Sequence, residues 1–108
     1  MTTPIWELKL DEYTRVLDKL AVKKPELSYL DDIKKRIEAQ AFLETTGTVK
    51  ERESKFYASE VYQEWVNDRR ALAEEMEHLL ALRSALQAWF ELWRTDESTR
   101  REEMRLAR

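Results

Sequence analysis

The single histidine, His78, is the first residue whose type and spacing could support chemistry. It follows Glu75 in a Glu-x-x-His pair, and di-iron carboxylate sites take such a pair from one face of a helix. The complete site needs a second pair and two further glutamates, and with one histidine the chain supplies only one pair. A histidine on an acidic helix surface explains the pattern more simply, so we expect no metal and no cofactor.

Residues of covalent catalysis are also scarce. The chain has no cysteine, and Gly47 is its only glycine. A serine nucleophile needs a neighbouring base and an orienting group, and a phosphate-binding loop needs clustered glycines. We therefore expect that the protein is not an enzyme and has no small-molecule substrate.

Basic and aromatic side chains alternate in the second half of the chain. Such a set suits single-stranded nucleic acid, whose phosphates pair with cations and whose bases stack on aromatic rings. The members are Lys50, Arg52, Lys55, Tyr57, Tyr62, Arg69 and Arg70. Glu51 and Glu53 lie among the first three and reduce the positive charge there. The set is a candidate nucleic-acid-binding site, with aromatic core packing as the alternative.

Charge along the chain is dense and nearly balanced. The 19 basic and 22 acidic residues give a net charge of −3, whereas a dedicated nucleic-acid binder usually has a clear basic excess. Residues 1–46 carry 8 basic and 9 acidic side chains, residues 47–78 carry 5 and 8, and residues 79–108 carry 6 and 5. A nucleic-acid-binding surface would therefore require that folding brings basic residues together on one face of the protein.

Helices must position these residues, because the turn formers that a small β domain needs are almost absent. The pattern predicts an all-α fold in a single domain, residues 1–108. The first helix, 4–24, should end before Pro25, which disfavours helical geometry in the preceding residue. The second, 28–46, should end at Gly47 in a left-handed cap. These two shorter helices would form a helical hairpin.

A long C-terminal helix should follow. Thr48 and Glu51 have the spacing of a capping box, which starts a helix over 48–94 with a kink or restart near 58–59 at Ser59. A polar helical tail, 95–108, completes the chain.

The long helix carries a heptad-like apolar seam that suits a coiled-coil-like bundle. Over 59–94 it would measure about 54 Å, whereas helices of 20 residues reach about 30 Å. A short hairpin cannot cover it, so we expect a homo-oligomer. The predicted interface residues are Trp65, Leu72, Met76, Leu79, Arg83, Leu86, Phe90 and Trp93. Arg69 and Arg83 on this seam either snorkel or pair with a glutamate across an interface, or they line a basic groove or pore of the oligomer.

No apolar run approaches the roughly 20 residues that span a bilayer. The N-terminus lacks the basic and then apolar pattern of a signal peptide. We expect a cytoplasmic protein with no membrane partner.

The segment Val49–Tyr57 places basic residues before an aromatic pair, and a long helix with Leu and Trp follows as far as Arg94. In this the chain resembles UvsY-type recombination mediators, small helical recombination-accessory proteins of phages. The resemblance covers the chain from residue 49 onward. It implies a phage protein in the host cytoplasm, an oligomer that binds single-stranded DNA and helps to load a recombinase. The family's basic residues carry over to Lys50, Arg52 and Lys55.

The expected function is therefore that of a small oligomeric accessory protein that binds single-stranded DNA or a recombination protein. The alternative is an adaptor or inhibitor that acts on a host protein through a helix face, without nucleic acid.

Overall fold

The computed structural model describes residues 2–107 and contains three helices, α1 (Ile5–Glu44), α2 (Val49–Tyr57) and α3 (Glu60–Leu106). Of these residues 91 % are helical, and no strand occurs among them. The all-α prediction and the long C-terminal helix are confirmed. Within the same range, no helix has the length and apolarity needed to cross a membrane.

α1 is one continuous helix where the sequence predicts two. Pro25 lies inside it, so the predicted helix end at residue 24 and the helical hairpin are wrong. Proline inside a helix removes one backbone hydrogen bond, here to the carbonyl of Ala21, and costs about 3 kcal/mol. Both residues are exposed, so water can reach this carbonyl. Burial of Leu20 before the proline and half-burial of Leu30 after it offset the cost.

The turn between α1 and α2 follows the sequence prediction closely. Gly47 has φ 120°, in the left-handed region that glycine adopts without strain. Thr48 caps α2 by accepting a hydrogen bond from the Glu51 backbone N–H at 3.3 Å. The Glu51 carboxylate accepts one from the Thr48 N–H at 3.3 Å. The predicted capping box is therefore confirmed, and it satisfies two of the free donors at this helix start.

Ser59 separates α2 from α3. Its hydroxyl donates to the carbonyl of Phe56 at 2.6 Å and accepts from the backbone N–H of Tyr62 at 3.3 Å. One side chain thus satisfies backbone groups at the end of α2 and at the start of α3. The predicted stretch thus restarts at Ser59 and forms two helices.

α3 extends beyond the predicted helix end at residue 94. Its 47 residues correspond to about 70 Å at 1.5 Å per residue. The polar residues after Arg94 continue this helix as far as Leu106.

Contacts divide the chain into two compact units. The central unit is Ala21–Glu77, and the terminal unit combines the chain up to Leu20 with the chain from His78 onward. α1 and α3 each contribute one segment to each unit. The single domain over residues 1–108 stays a prediction.

In the terminal unit the two segments run antiparallel. Trp6 lies against Trp93 with ring centroids 6.2 Å apart, and Tyr13 lies edge-on to Phe90 at 6.0 Å. The core of this unit consists of Val16, Leu20, Leu79 and Leu86. Full burial of each such side chain contributes about 1.5–3 kcal/mol, so these four residues are the main source of packing stability here.

The central unit is also an antiparallel pair, closed at one end by α2. Lys23 Nζ lies 3.0 Å from the Glu75 carboxylate, and Trp65 Nε1 donates to the carbonyl of Leu30 at 2.7 Å. Phe56 of α2 is 2 % exposed. Its burial holds the short helix on the unit, since nine residues are too few for an isolated helix to be stable.

Four residues of the predicted oligomer interface are buried within the single chain. They are Leu72, Met76, Leu79 and Leu86. Their burial needs no second copy, because α1 is one long helix and provides a segment for α3 in each unit. Their assignment to an interface is therefore corrected to intrachain core. The other four predicted residues are half-buried or exposed: Trp65, Arg83, Phe90 and Trp93. Self-association itself stays a prediction.

Candidate nucleic-acid interface

A groove on the central unit, here called the basic groove, collects charged side chains from α1 and α3. Its volume is about 730 Å³. Four basic and two acidic side chains line it beside Trp65: Lys34, Lys35, Arg69, Arg70, Asp31 and Glu38. The formal excess is two positive charges on one face of a chain whose net charge is −3. The fold thus gathers cations that the linear sequence keeps apart.

Arg69 lies in the basic groove and pairs with Asp31. Its Nε donates to Asp31 Oδ1 at 2.8 Å, and the two side chains are 41 % and 50 % exposed. This hydrogen bond, together with the charge of the carboxylate, raises the pKa of Arg69 above its usual value. The sequence offered pairing or groove lining as alternatives for Arg69. In the structure Arg69 pairs with an aspartate of its own chain and lines a groove formed by that chain alone. Pairing across an interface and a groove within an oligomer stay predictions.

Trp65 forms the aromatic part of the basic groove. Its ring nitrogen is anchored to the α1 backbone by the hydrogen bond to Leu30, which fixes the plane of the indole. Lys34 Nζ lies 5.4 Å from the ring centroid, within the range of a cation–π contact. The groove thus combines a cation with an anchored aromatic ring, and single-stranded nucleic-acid sites combine cationic and aromatic side chains.

An aromatic cluster adjoins this tryptophan. Tyr62 is nearly parallel to Trp65, with 19° between the planes and centroids 6.0 Å apart. Tyr57 meets Tyr62 edge-on, with ring centroids 5.0 Å apart. The ring centroid of buried Phe56 lies within 5.4 Å of the centroids of both tyrosines. Tyr57 is 44 % exposed. Phe56 is therefore a core residue, whereas the Tyr57 side chain is partly exposed to solvent.

The three basic residues of α2 do not line the basic groove. Lys50 is exposed, and Lys55 donates from Nζ to the carbonyl of Thr46 at 3.2 Å. Arg52 is half-buried, and its Nε is shielded from solvent without a hydrogen-bond partner among the described residues. Of the seven predicted contact residues, Arg69 and Arg70 line the basic groove, and Tyr57 and Tyr62 belong to the aromatic cluster. The other three are the basic residues of α2, which lie outside the groove.

Lys34 and Lys35 are the groove residues that sequence reasoning missed. With Arg36, they form a run of three cations on α1. Lys34 is half-buried over Trp65, and Lys35 lines the same groove. The run of three cations was the available signal. Its partner on α3 could not be identified while α1 was treated as two helices, because the alignment of α1 with α3 was then unknown.

Glu75, the acidic residue of the Glu-x-x-His pair, has a basic partner on α1. Glu75 forms an ion pair with Lys23, which raises the pKa of that lysine together with Glu26. In the part of the chain that the structure describes, no group of three or more His, Asp or Glu side chains is arranged so that it could bind a metal ion.

The terminal unit carries a different kind of surface. Between Leu79 and Phe90 the only charged residue is Arg83, in a chain with 38 % charged residues. Four uncharged residues at spacings of three and four lie on one face of α3: Leu82, Ala85, Trp89 and Leu92. We call this set the apolar stripe. Leu92 is 72 % exposed, so the stripe is incompletely covered by the chain itself.

Compared with known protein families, curated proteins and solved structures, the chain gives no match. The resemblance to UvsY-type mediators therefore rests on the residue pattern of Val49–Tyr57 and of the helix that follows. The fold and the site define an all-α protein with a basic groove beside clustered aromatic rings.

Proposed function

We propose that the protein is a small helical accessory protein that binds single-stranded DNA in the basic groove. The observation that carries this proposal is the meeting of four cations from two helices beside an anchored tryptophan. Lys35 and Arg70 supply charge for phosphates, and Lys34 supplies charge directly over the Trp65 ring. The pattern shared with phage recombination mediators points to the same ligand.

Single-stranded nucleic acid fits this site better than a duplex. Stacking on an aromatic side chain needs an unpaired base, and Tyr57 offers the more exposed ring of the adjoining cluster. A duplex would use the cations alone. The formal excess of two charges implies few phosphate contacts, so the affinity should be moderate and should depend on salt concentration.

The direct test is fluorescence anisotropy with a labelled oligothymidine and with a duplex of equal length. Measurements at 50 and 200 mM salt separate phosphate contacts from other contacts, because affinity falls as salt displaces them. We expect the single strand to bind more tightly than the duplex, and both to weaken at the higher salt. Absence of any binding at 50 mM would contradict the proposal.

We further propose that the terminal unit associates with a second copy of the chain. The supporting observation is the apolar stripe, where Leu92 is exposed next to a stretch of α3 with one charge in twelve residues. Exposed apolar patches of this kind commonly mark protein interfaces. Light scattering tests it, with an expected mass of at least twice 13.0 kDa.

The same stripe supports the alternative role as an adaptor that presents a helix face to another protein. The two roles differ in their ligands. A protein that binds no oligonucleotide, but retains one stoichiometric partner after nuclease treatment of a lysate, would favour the adaptor.

A further inference from the structure

The ion pair between Asp31 and Arg69 is open to exchange. Both side chains are about half exposed, and Arg69 Nε donates to Asp31 Oδ1 at 2.8 Å. An arginine offers five N–H donors in a planar fork, and among the described residues no second residue accepts a hydrogen bond from this one. Arg69 therefore has donors left for a further anion while Nε is occupied by a neighbouring carboxylate.

Resting on the proposed function, we infer that Asp31 is a specificity-determining residue that competes with phosphate for Arg69. Its carboxylate occupies a position on the guanidinium that a phosphate oxygen would take. An incoming anion must displace it, or bind the remaining donors against its repulsion. The exchange changes the partner of Arg69 and leaves its charge unchanged.

This competition selects the kind of anion that the groove accepts. A single carboxylate from an acidic peptide would replace Asp31 with an equivalent group, so little is gained. A nucleic acid brings several phosphates, and these reach Lys35 and Arg70 at the same time as Arg69. The contacts of the additional phosphates with Lys35 and Arg70 then offset the loss of the ion pair between Asp31 and Arg69. Asp31 thus favours a polyphosphate chain over isolated acidic side chains.

The test compares Asp31→Asn with Asp32→Asn. Both substitutions remove one negative charge, but Asp32 is exposed and makes no ion pair within the described part of the chain. For oligothymidine at 50 mM salt we expect Asp31→Asn to tighten binding about three- to tenfold and to steepen the salt slope by about 0.7, the value for one added single-strand phosphate contact. Asp32→Asn should change the affinity far less and leave the slope unchanged.

A second arm uses an otherwise uncharged peptide with a single glutamate as the probe. The wild-type protein should bind it much more weakly than the oligonucleotide, and Asp31→Asn should narrow this difference. A third arm places Asp31→Asn in an Arg69→Gln background, where the gain in oligonucleotide affinity should disappear. This double-mutant cycle shows whether the gain in affinity comes from loss of the Asp31–Arg69 ion pair or from the change in net charge. Circular dichroism of each variant verifies that the helices are retained.

The outcomes separate the two proposals. If the wild-type protein binds oligothymidine and Asp31→Asn matches Asp32→Asn, the inference about Asp31 is overturned and DNA binding stands. A gain that persists without Arg69 overturns it as well. If the wild-type protein and the variants all fail to bind at 50 mM salt, the proposed function fails and the inference fails with it.

Discussion

The indole nitrogen of Trp65 donates a 2.7 Å hydrogen bond to the carbonyl oxygen of Leu30, thirty-five residues earlier in the chain. A carbonyl within a helix normally accepts one bond from the N–H four residues later, so this bond uses its second lone pair. It ties α3 to α1 at a defined position in the central unit. It also orients the ring that Lys34 covers, so one contact serves both the stability and the geometry of the groove.

Replacing Trp65 with phenylalanine should lower the free energy of unfolding by on the order of 1–2 kcal/mol, since the hydrogen bond and part of the buried ring are lost. Urea denaturation followed by circular dichroism measures this. Trp93→Phe is the matched control, because Trp93 contacts other rings but donates no hydrogen bond among the described residues. Equal losses in the two variants would show that the bond to Leu30 contributes nothing specific.

Lys35 and Arg36 are adjacent cations that differ in their relation to the basic groove. Only Lys35 lines it, so Lys35→Gln should weaken oligothymidine binding and reduce the salt slope by about 0.7, the value for one single-strand phosphate contact. Arg36→Gln removes the same charge outside the groove and should leave the slope unchanged. If both substitutions act alike, the groove is not the binding surface and the protein merely responds to net charge.

The start of α2 could be predicted from sequence because its determinants are local. Thr48, Glu51 and Gly47 act within a few residues of one another, and their spacing alone specifies the capping box and the left-handed turn. Ser59 was recognised as a cap candidate for the same reason. Such signals need no knowledge of which distant segments pack together.

Pro25 and Lys34 show why the rest could not be predicted. The local rule ends a helix before Pro25, but packing of α1 on both sides of the proline outweighs a cost of about 3 kcal/mol. A prediction that divides α1 into two helices cannot specify which residues of α1 lie beside which residues of α3. Lys34 then has no known neighbour, although in the fold it covers Trp65. Four residues of the heptad seam, Leu72, Met76, Leu79 and Leu86, are buried within the chain itself.

Gly47 gives a test of the turn itself. A Cβ at this position would meet the Glu51 side chain that caps α2, and φ is 120°. Gly47→Ala should therefore cost about 1–3 kcal/mol through backbone strain and loss of the cap. Thermal unfolding monitored by circular dichroism measures the change. Thr46→Ala is the control, since this exposed neighbour contributes only its carbonyl, to Lys55. A stable Gly47→Ala variant would show that the turn can adopt another conformation.

Substitutions at Leu92 and Leu86 can distinguish an exposed interface on α3 from the buried core of the terminal unit. Leu92 is 72 % exposed whereas Leu86 is 4 % exposed, so an aspartate at each position should have different effects. Leu92→Asp should reduce the mass measured by light scattering towards 13.0 kDa while the helical circular dichroism signal is retained. Leu86→Asp buries a charge in the terminal unit and should unfold it, because an unpaired buried charge costs several kcal/mol.

Leu43→Asp is the control for the effect of charge at an exposed leucine, because Leu43 is also exposed but belongs to the central unit. It should leave the measured mass unchanged. If the wild-type protein is a stable monomer at tens of micromolar, the apolar stripe does not mediate self-association. If Leu92→Asp keeps the full mass of a wild-type oligomer, the second copy docks elsewhere. A loss of mass in Leu92→Asp alone would assign the contact to the apolar stripe, since the central unit and the intrachain core would both be unchanged.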